Sequence, residues 1–207
     1  MNKRSFERDV PKGYKLSKHI NAEEKLFGIV LNLVAIVLCA AVVFASVALF
    51  RRFAGASDIF YVFIGVGIGG ILLLIYTVLH ELVHGVAYKL ATGERLKFGI
   101  SWSCAFCGVP RIYVYRKYAL IAVLLPVIFF TVILIPLMAL CIVLSDGASS
   151  GFATVVYYAL SIVLGMNIGG SSGDVFLAFL LFFKYRRSDT LIRDTGPEQY
   201  IYERDSI

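Results

Sequence analysis

Charge is what this sequence has least of. Asp, Glu, Lys and Arg make up 16% of its 207 residues, while 59% are hydrophobic and the mean hydropathy is +0.80. Soluble domains are about half apolar and about a quarter charged, so an ordinary soluble domain does not fit. Cysteine is sparse too. Cys39 and Cys141 lie inside apolar runs, where a thiol behaves as a small hydrophobe. Cys104 and Cys107 form one Cys-x-x-Cys, without the two further ligands of a zinc knuckle or the βαβ setting of a redox motif. Reduced thiols in a turn are the expectation. No signal peptide is visible: the 25 residues before the first apolar run include several acidic ones, and that run is too long for an h-region. The first run is therefore expected to be a retained anchor. Internal repeats and low-complexity linkers are absent, and histidine is limited to three residues.

What is present is four long apolar runs. Leu26–Phe50 and Tyr118–Ser145 hold no charge; Ile59–Tyr88 holds one carboxylate, Glu81, and Phe152–Phe183 holds one, Asp174. A helix needs roughly 20 apolar residues to cross about 30 Å of hydrocarbon, and each run is long enough. The expected fold class is an all-α integral membrane protein with four transmembrane helices. Its expected organisation is a cytoplasmic N-terminal segment (1–25), a four-helix membrane domain (26–187) and a mobile, mixed-charge cytoplasmic tail (188–207).

The net charge of +6 is unevenly placed. Seven Lys/Arg lie in Met1–Lys25, six in Lys89–Lys117 and five from Lys184 onward, while the other two links hold only two, Arg51 and Arg52, beside the acidic Asp58 and Asp146. That asymmetry is the positive-inside pattern and predicts both termini and the middle loop in the cytoplasm. The basic residues orient the chain in the lipid bilayer and could touch anionic headgroups. Without a compact basic patch interleaved with aromatics, nucleic acid is not an expected partner.

Two of the three histidines and the only carboxylate of the second run stand together in His80-Glu-Leu-Val-His-Gly85. Histidines at i and i+4 project from one helix face, one turn apart, so both rings can reach one ion. The glutamate after the first histidine sits beside the same site, where it can take a proton from an attacking water. An ionised group at mid-membrane costs roughly 2.5–3.5 kcal/mol on insertion scales, which marks these residues as functional candidates. The bland alternative is a Glu–His pair that stabilises helix packing.

Catalytic zinc usually has three protein ligands and an open position, so His80 and His84 need a partner. Asp174 is the only other acidic residue within a run, and its depth matches. His80 lies nine residues before Lys89, and Asp174 lies ten before Lys184. At 1.5 Å per residue, those are about 13.5 and 15 Å from the cytoplasmic ends. Gly65 and Gly69 in the second run, and Gly165 and Gly169 in the fourth, have the four-residue spacing that lets membrane helices approach closely. Gly69 and His80 fall on one helix face, so the docking face is expected to carry the ligands. The stretch Asn167–Asp174 is expected to be kinked or unwound. Asn167 could bind a substrate backbone or steady the fourth span; both readings stand.

With His80-Glu-Leu-Val-His-Gly85 in one span and Gly173-Asp174 two spans later, the sequence resembles the membrane zincin peptidases, a small bacterial family similar to the site-two proteases of regulated intramembrane proteolysis. The resemblance covers roughly residues 60–185. It implies Zn2+ held by His80, His84 and Asp174, Glu81 as general base, and a bacterial plasma membrane. The second motif departs from the site-two pattern: no proline intervenes, and Val175 follows Asp174.

Between the second and third runs, Arg95–Trp102 and Pro110–Arg116 alternate around a Cys- and Gly-containing turn, which predicts a short β-hairpin-like cytoplasmic loop. Such an edge could pair with an extended peptide; an amphipathic interfacial loop is equally compatible. The expected function is zinc-dependent hydrolysis of peptide bonds in a membrane protein or membrane-proximal peptide substrate. A non-catalytic zinc-binding scaffold and a small ion- or proton-coupled transporter are the alternatives.

Overall fold

A computed structural model describes residues 5–102, 104–145 and 150–205. Four helical segments are long and apolar enough to cross a membrane: α1 (Lys25–Ala54), α2 (Ile59–Thr92), α3 (Arg116–Leu144), and a fourth that runs through Gly151–Lys184. Their outer faces explain themselves only in hydrocarbon. Val37 and Phe44 on α1, Leu74 on α2 and Val143 on α3 are all more than half exposed. In water such surface would cost about 25 cal/mol per Å²; against lipid tails it costs nothing. Local chemistry sets the first boundaries. Gly55, at φ +86°, takes the left-handed position that ends α1. The Asp58 carboxylate then accepts the Phe60 N–H at 2.8 Å and caps the start of α2. Asp146, the charge expected in the third link, lies outside the described residues.

The fourth segment is interrupted, as its Gly/Ser-rich stretch predicts. Helix α4 (Ser150–Gly170) stops at Ser171, whose hydroxyl donates to the Asn167 carbonyl at 2.7 Å. Helix α5 (Ser172–Phe179) follows and widens into a π-helical turn, Leu180–Lys184. In that turn Tyr185 N–H reaches the Leu180 carbonyl at 2.8 Å, and the Arg116 Nε–H donates to the Leu181 carbonyl at 2.7 Å. A wide turn disturbs the regular ladder, and Arg116 supplies a partner there.

The chain divides into two compact units. One comprises Asn32–Val78 and Val127–Ser172 and packs Phe50, Tyr76, Leu134, Met138, Tyr157 and Leu164 into its core. Within it a Cβ at Gly65 would stand 2.7 Å from the Val155 carbonyl oxygen, and one at Gly69 would stand 2.9 Å from Ile162. The α2 glycines therefore dock against α4. Gly165 and Gly169 approach a different helix: they face Cys39, Val43 and Ala35 of α1.

The other unit comprises Met1–Leu31, Leu79–Pro126 and Gly173–Ile207. It adds an antiparallel sheet to the helices, beyond the all-α expectation. Strands β1 (Phe6–Glu7), β5 (Tyr113–Tyr115), β6 (Leu191–Asp194), β7 (Glu198–Arg204) and β2 (Tyr14–Asn21) lie in that order. The tail beyond Arg187, expected to be mobile, instead supplies β6 and β7. Leu191, Ile192 and Ile201 are fully buried, and the two isoleucines share one apolar cluster with Tyr88, Val109, Ile112, Val114 and Leu181. Burial of those apolar side chains offsets the entropy of ordering the tail. A hairpin forms in the loop, but not between the two predicted halves: the partner of the first half comes from the expected Cys- and Gly-containing turn. Strand β3 (Lys97–Ile100) pairs with β4 (Ala105–Gly108), with Phe98 opposite Cys107. The second predicted half, Pro110–Arg116, contributes β5 to the larger sheet, where Val114 faces Ile192 and Phe6.

Candidate metal centre

Both motif histidines sit on α2 and both are buried, at 7% and 6% exposure. The i, i+4 spacing brings their rings to 4.9 Å between centroids, at 75°. Their Nε2 atoms face each other at 3.2 Å. Asp174, in the first turn of α5, points its Oδ2 at this pair and lies 3.3 Å from each Nε2. Three donor atoms from two helices thus form a nearly equilateral triangle.

Its size discriminates between two chemistries. A carboxylate bonded directly to a histidine N–H sits at about 2.7–2.9 Å, shorter than either contact. Donors held about 2.0–2.2 Å from one tetrahedral centre lie about 3.3–3.6 Å from each other. The observed edges of 3.2, 3.3 and 3.3 Å match the second spacing. Two imidazoles and one carboxylate are also a donor set that suits zinc. These residues fit the ion.

The His84 ring is fixed from behind. Its Nδ1 lies 2.8 Å from the Ala122 carbonyl oxygen of α3. A carbonyl only accepts, so the ring proton sits on Nδ1 and the Nε2 lone pair faces the triangle. Ala122 leaves no trace in the sequence as a functional position, because its backbone acts and any residue could supply it.

Glu81 is half-buried beside the triangle. Its carboxylate can come within 4.8 Å of the histidine donors. Asp174 Oδ2 is in contact with both rings, and the Glu81 carboxylate is grouped with the same two histidines. Asn167 is fully buried elsewhere in its own unit. Its Oδ1 accepts the Tyr76 hydroxyl at 2.9 Å, and its Nδ2 donates to Thr131 Oγ1 at 2.8 Å and the Val127 carbonyl at 3.2 Å.

One more polar cluster lies along α2, one turn beyond His84. The Tyr88 hydroxyl donates to Asp194 Oδ2 at 2.6 Å, and the Gly196 N–H donates to Oδ1 at 2.9 Å. Burial raises the Asp194 carboxyl to about 6, against the opposing pull of these two donors. Burial likewise pushes the Cys107 thiol up to about 12, with the Asp194 charge adding to it. Cys104 and Cys107 are free thiols, as expected, but Cys107 is buried in strand β4 and does not lie in a turn. Tyr88 continues the stripe His80, His84 at the same four-residue step, a signal the sequence carried without a visible partner.

No curated protein and no solved structure matches the chain. A family model described as "Putative zincin peptidase" matches residues 73–189, more than half of the sequence. The matched stretch contains His80, Glu81, His84 and Asp174, and the chain belongs to that zincin peptidase family.

Proposed function

We propose that this protein is an intramembrane zinc metalloendopeptidase. The reading rests on one observation: three donors, brought together from α2 and α5, are spaced as the edges of a tetrahedral site, with Glu81 beside them. His80, His84 and Asp174 would hold the ion. Zinc bound there would supply Lewis-acid polarisation of the scissile carbonyl and a water made nucleophilic near neutral pH. Asp174 contributes one negative charge and the neutral imidazoles none, so the donor set leaves a dication with positive charge to act on substrate. The Ala122 carbonyl keeps His84 in the ligating tautomer. Glu81 takes the proton of the attacking water and returns it to the leaving amine, a base and then an acid.

The substrate reading rests on β3. Among the described residues, β3 pairs only with β4, and its base packs on the ligand helix: a Cβ at Gly85 would meet the Phe98 ring at 2.8 Å and Leu96 at 3.1 Å. An extended peptide added to that edge would run beside Glu81. The charge asymmetry supports a cytoplasmic location for both termini and for this hairpin. The substrate would be a membrane-embedded or membrane-proximal segment, and the site-two proteases are the functional analogy.

The test is zinc content of the purified protein together with cleavage of a confirmed substrate. Wild type should carry about one zinc, and His80→Ala and Asp174→Ala should lose it. Glu81→Gln should keep zinc and cleave nothing. Zinc binding without any cleavage in wild type would point to the scaffold alternative, and cleavage by Glu81→Gln would remove Glu81 from the role of base.

A further inference from the structure

The hairpin beside the candidate metal centre touches the ligand helix and the turn between β6 and β7, and Trp102 in its loop also meets α1 at Gly28. The contact with the β6–β7 turn is the tightest. Phe106 of β4 covers Gly196, and a Cβ on Gly196 would collide with that ring. A Cβ on Gly108 would come within 2.5 Å of the Gly196 nitrogen. The Val109 N–H, just past β4, donates to the Asp194 carbonyl at 2.8 Å. Gly196 sits at φ +105°, a conformation that side chains rarely adopt, and Asp194 Oδ1 holds that turn through the Gly196 N–H. The other carboxylate oxygen of Asp194 takes the Tyr88 hydroxyl. One buried residue therefore bonds the ligand helix with its side chain, the hairpin's exit with its backbone, and the turn that seats Phe106.

We propose that Asp194 is a positioning residue that fixes the β3–β4 hairpin at one distance from the His80–His84 face of α2. Its place is outside the stretch that the family match covers, which ends at residue 189. The C-terminal strands are then part of the substrate-aligning machinery of this chain. The Tyr88 bond is the adjustable link, because it alone joins the side chain of Asp194 to α2. The meaning of that alignment rests on the peptidase reading; the alignment itself does not.

The experiment is hydrogen–deuterium exchange on the full-length protein in lipid nanodiscs, comparing wild type, Tyr88→Phe, Asp194→Ala, the double variant and Asp194→Asn. Tyr88→Phe and Asp194→Ala should speed exchange of the β3–β4 amides at least about tenfold while the α3 and β2 amides stay within about twofold. The double variant should be no looser than Asp194→Ala, since both changes cut the same link. Asp194→Asn should be close to wild type: its amide oxygen can accept from Gly196 and its amide nitrogen can donate to the tyrosine oxygen. Tyr88→Phe is conservative enough to keep the readout if Asp194→Ala fails to fold. Hairpin exchange within about twofold of wild type in Tyr88→Phe would overturn the proposal, and so would equal loosening of every element. Zinc titration of the same samples separates the two ideas. A wild type that takes up no zinc ends the peptidase reading and leaves the exchange result standing, whereas zinc uptake with an unmoved hairpin ends only this inference.

Discussion

A carboxylate inside a membrane span has to be accounted for, and the two in this chain have different surroundings. Asp174, from α5, is in contact with two imidazoles, while Glu81 comes from the histidines' own helix and lies within 4.8 Å of their donor atoms. Under the proposed function the first would be a ligand and the second the proton carrier. Asn167 illustrates the opposite outcome for a polar residue. All of its hydrogen-bonding capacity visible here is spent on Tyr76, Thr131 and Val127, which leaves buried partners exposed to loss. Asn167→Ala should therefore cost about 1–3 kcal/mol, the usual penalty for stranding buried polar groups. Thermal unfolding in detergent would show it as a lowered midpoint, and an unchanged midpoint would mean that the network carries no weight.

At the scale of elements, close approach of backbones decides which helices meet. Glycines four residues apart appear in both α2 and α4, and the structure separates their partners: Gly65 and Gly69 against α4, Gly165 and Gly169 against α1. Membrane helices lack a hydrophobic drive to associate, so such contacts carry the packing. Gly169→Val should collide with the Ala35 carbonyl and the Cys39 backbone, costing about 1–3 kcal/mol by overpacking. Gly67→Val is the matched control, because a Cβ there meets nothing within 4 Å. Comparing melting midpoints of the two variants tests the assignment of faces; equal midpoints would contradict it. The hairpin admits a similar test. Gly85→Val should push Phe98 and Leu96 away from α2, with loss of peptide cleavage but retention of zinc, read by metal analysis beside an activity assay.

At the scale of the whole molecule, the sheet unit carries a pH dependence through Asp194. Its carboxyl is raised to about 6 by burial, from an ordinary value of 3.8. The folded state thus holds this proton more tightly than the unfolded chain does. The resulting stabilisation is fully present below about pH 4 and is lost as pH rises through about 6. A shift of about two units corresponds to about 3 kcal/mol. Asp194→Asn should remove that slope between pH 4 and 6, and denaturation midpoints across the window would show it. A slope that persists in the variant would assign it to other groups.

The four spans, the histidine pair with its glutamate, and the break near Gly170 were legible in the sequence, because hydrocarbon and metal coordination impose local rules: about 20 apolar residues, a four-residue step, glycine where a helix yields. Asp174 as the histidines' partner could be inferred because it is the only other acidic residue in an apolar run and its count from the cytoplasmic end matches theirs. Other features had no local signature. Strands β1, β2, β6 and β7 come from the two ends of the chain and gain their apolar burial only when paired. The tautomer of His84 depends on a backbone carbonyl of α3, and Asp194 meets Tyr88 across more than a hundred residues. Such pairings exist only once the chain is folded, because their energy comes from excluding water around groups that the sequence keeps far apart.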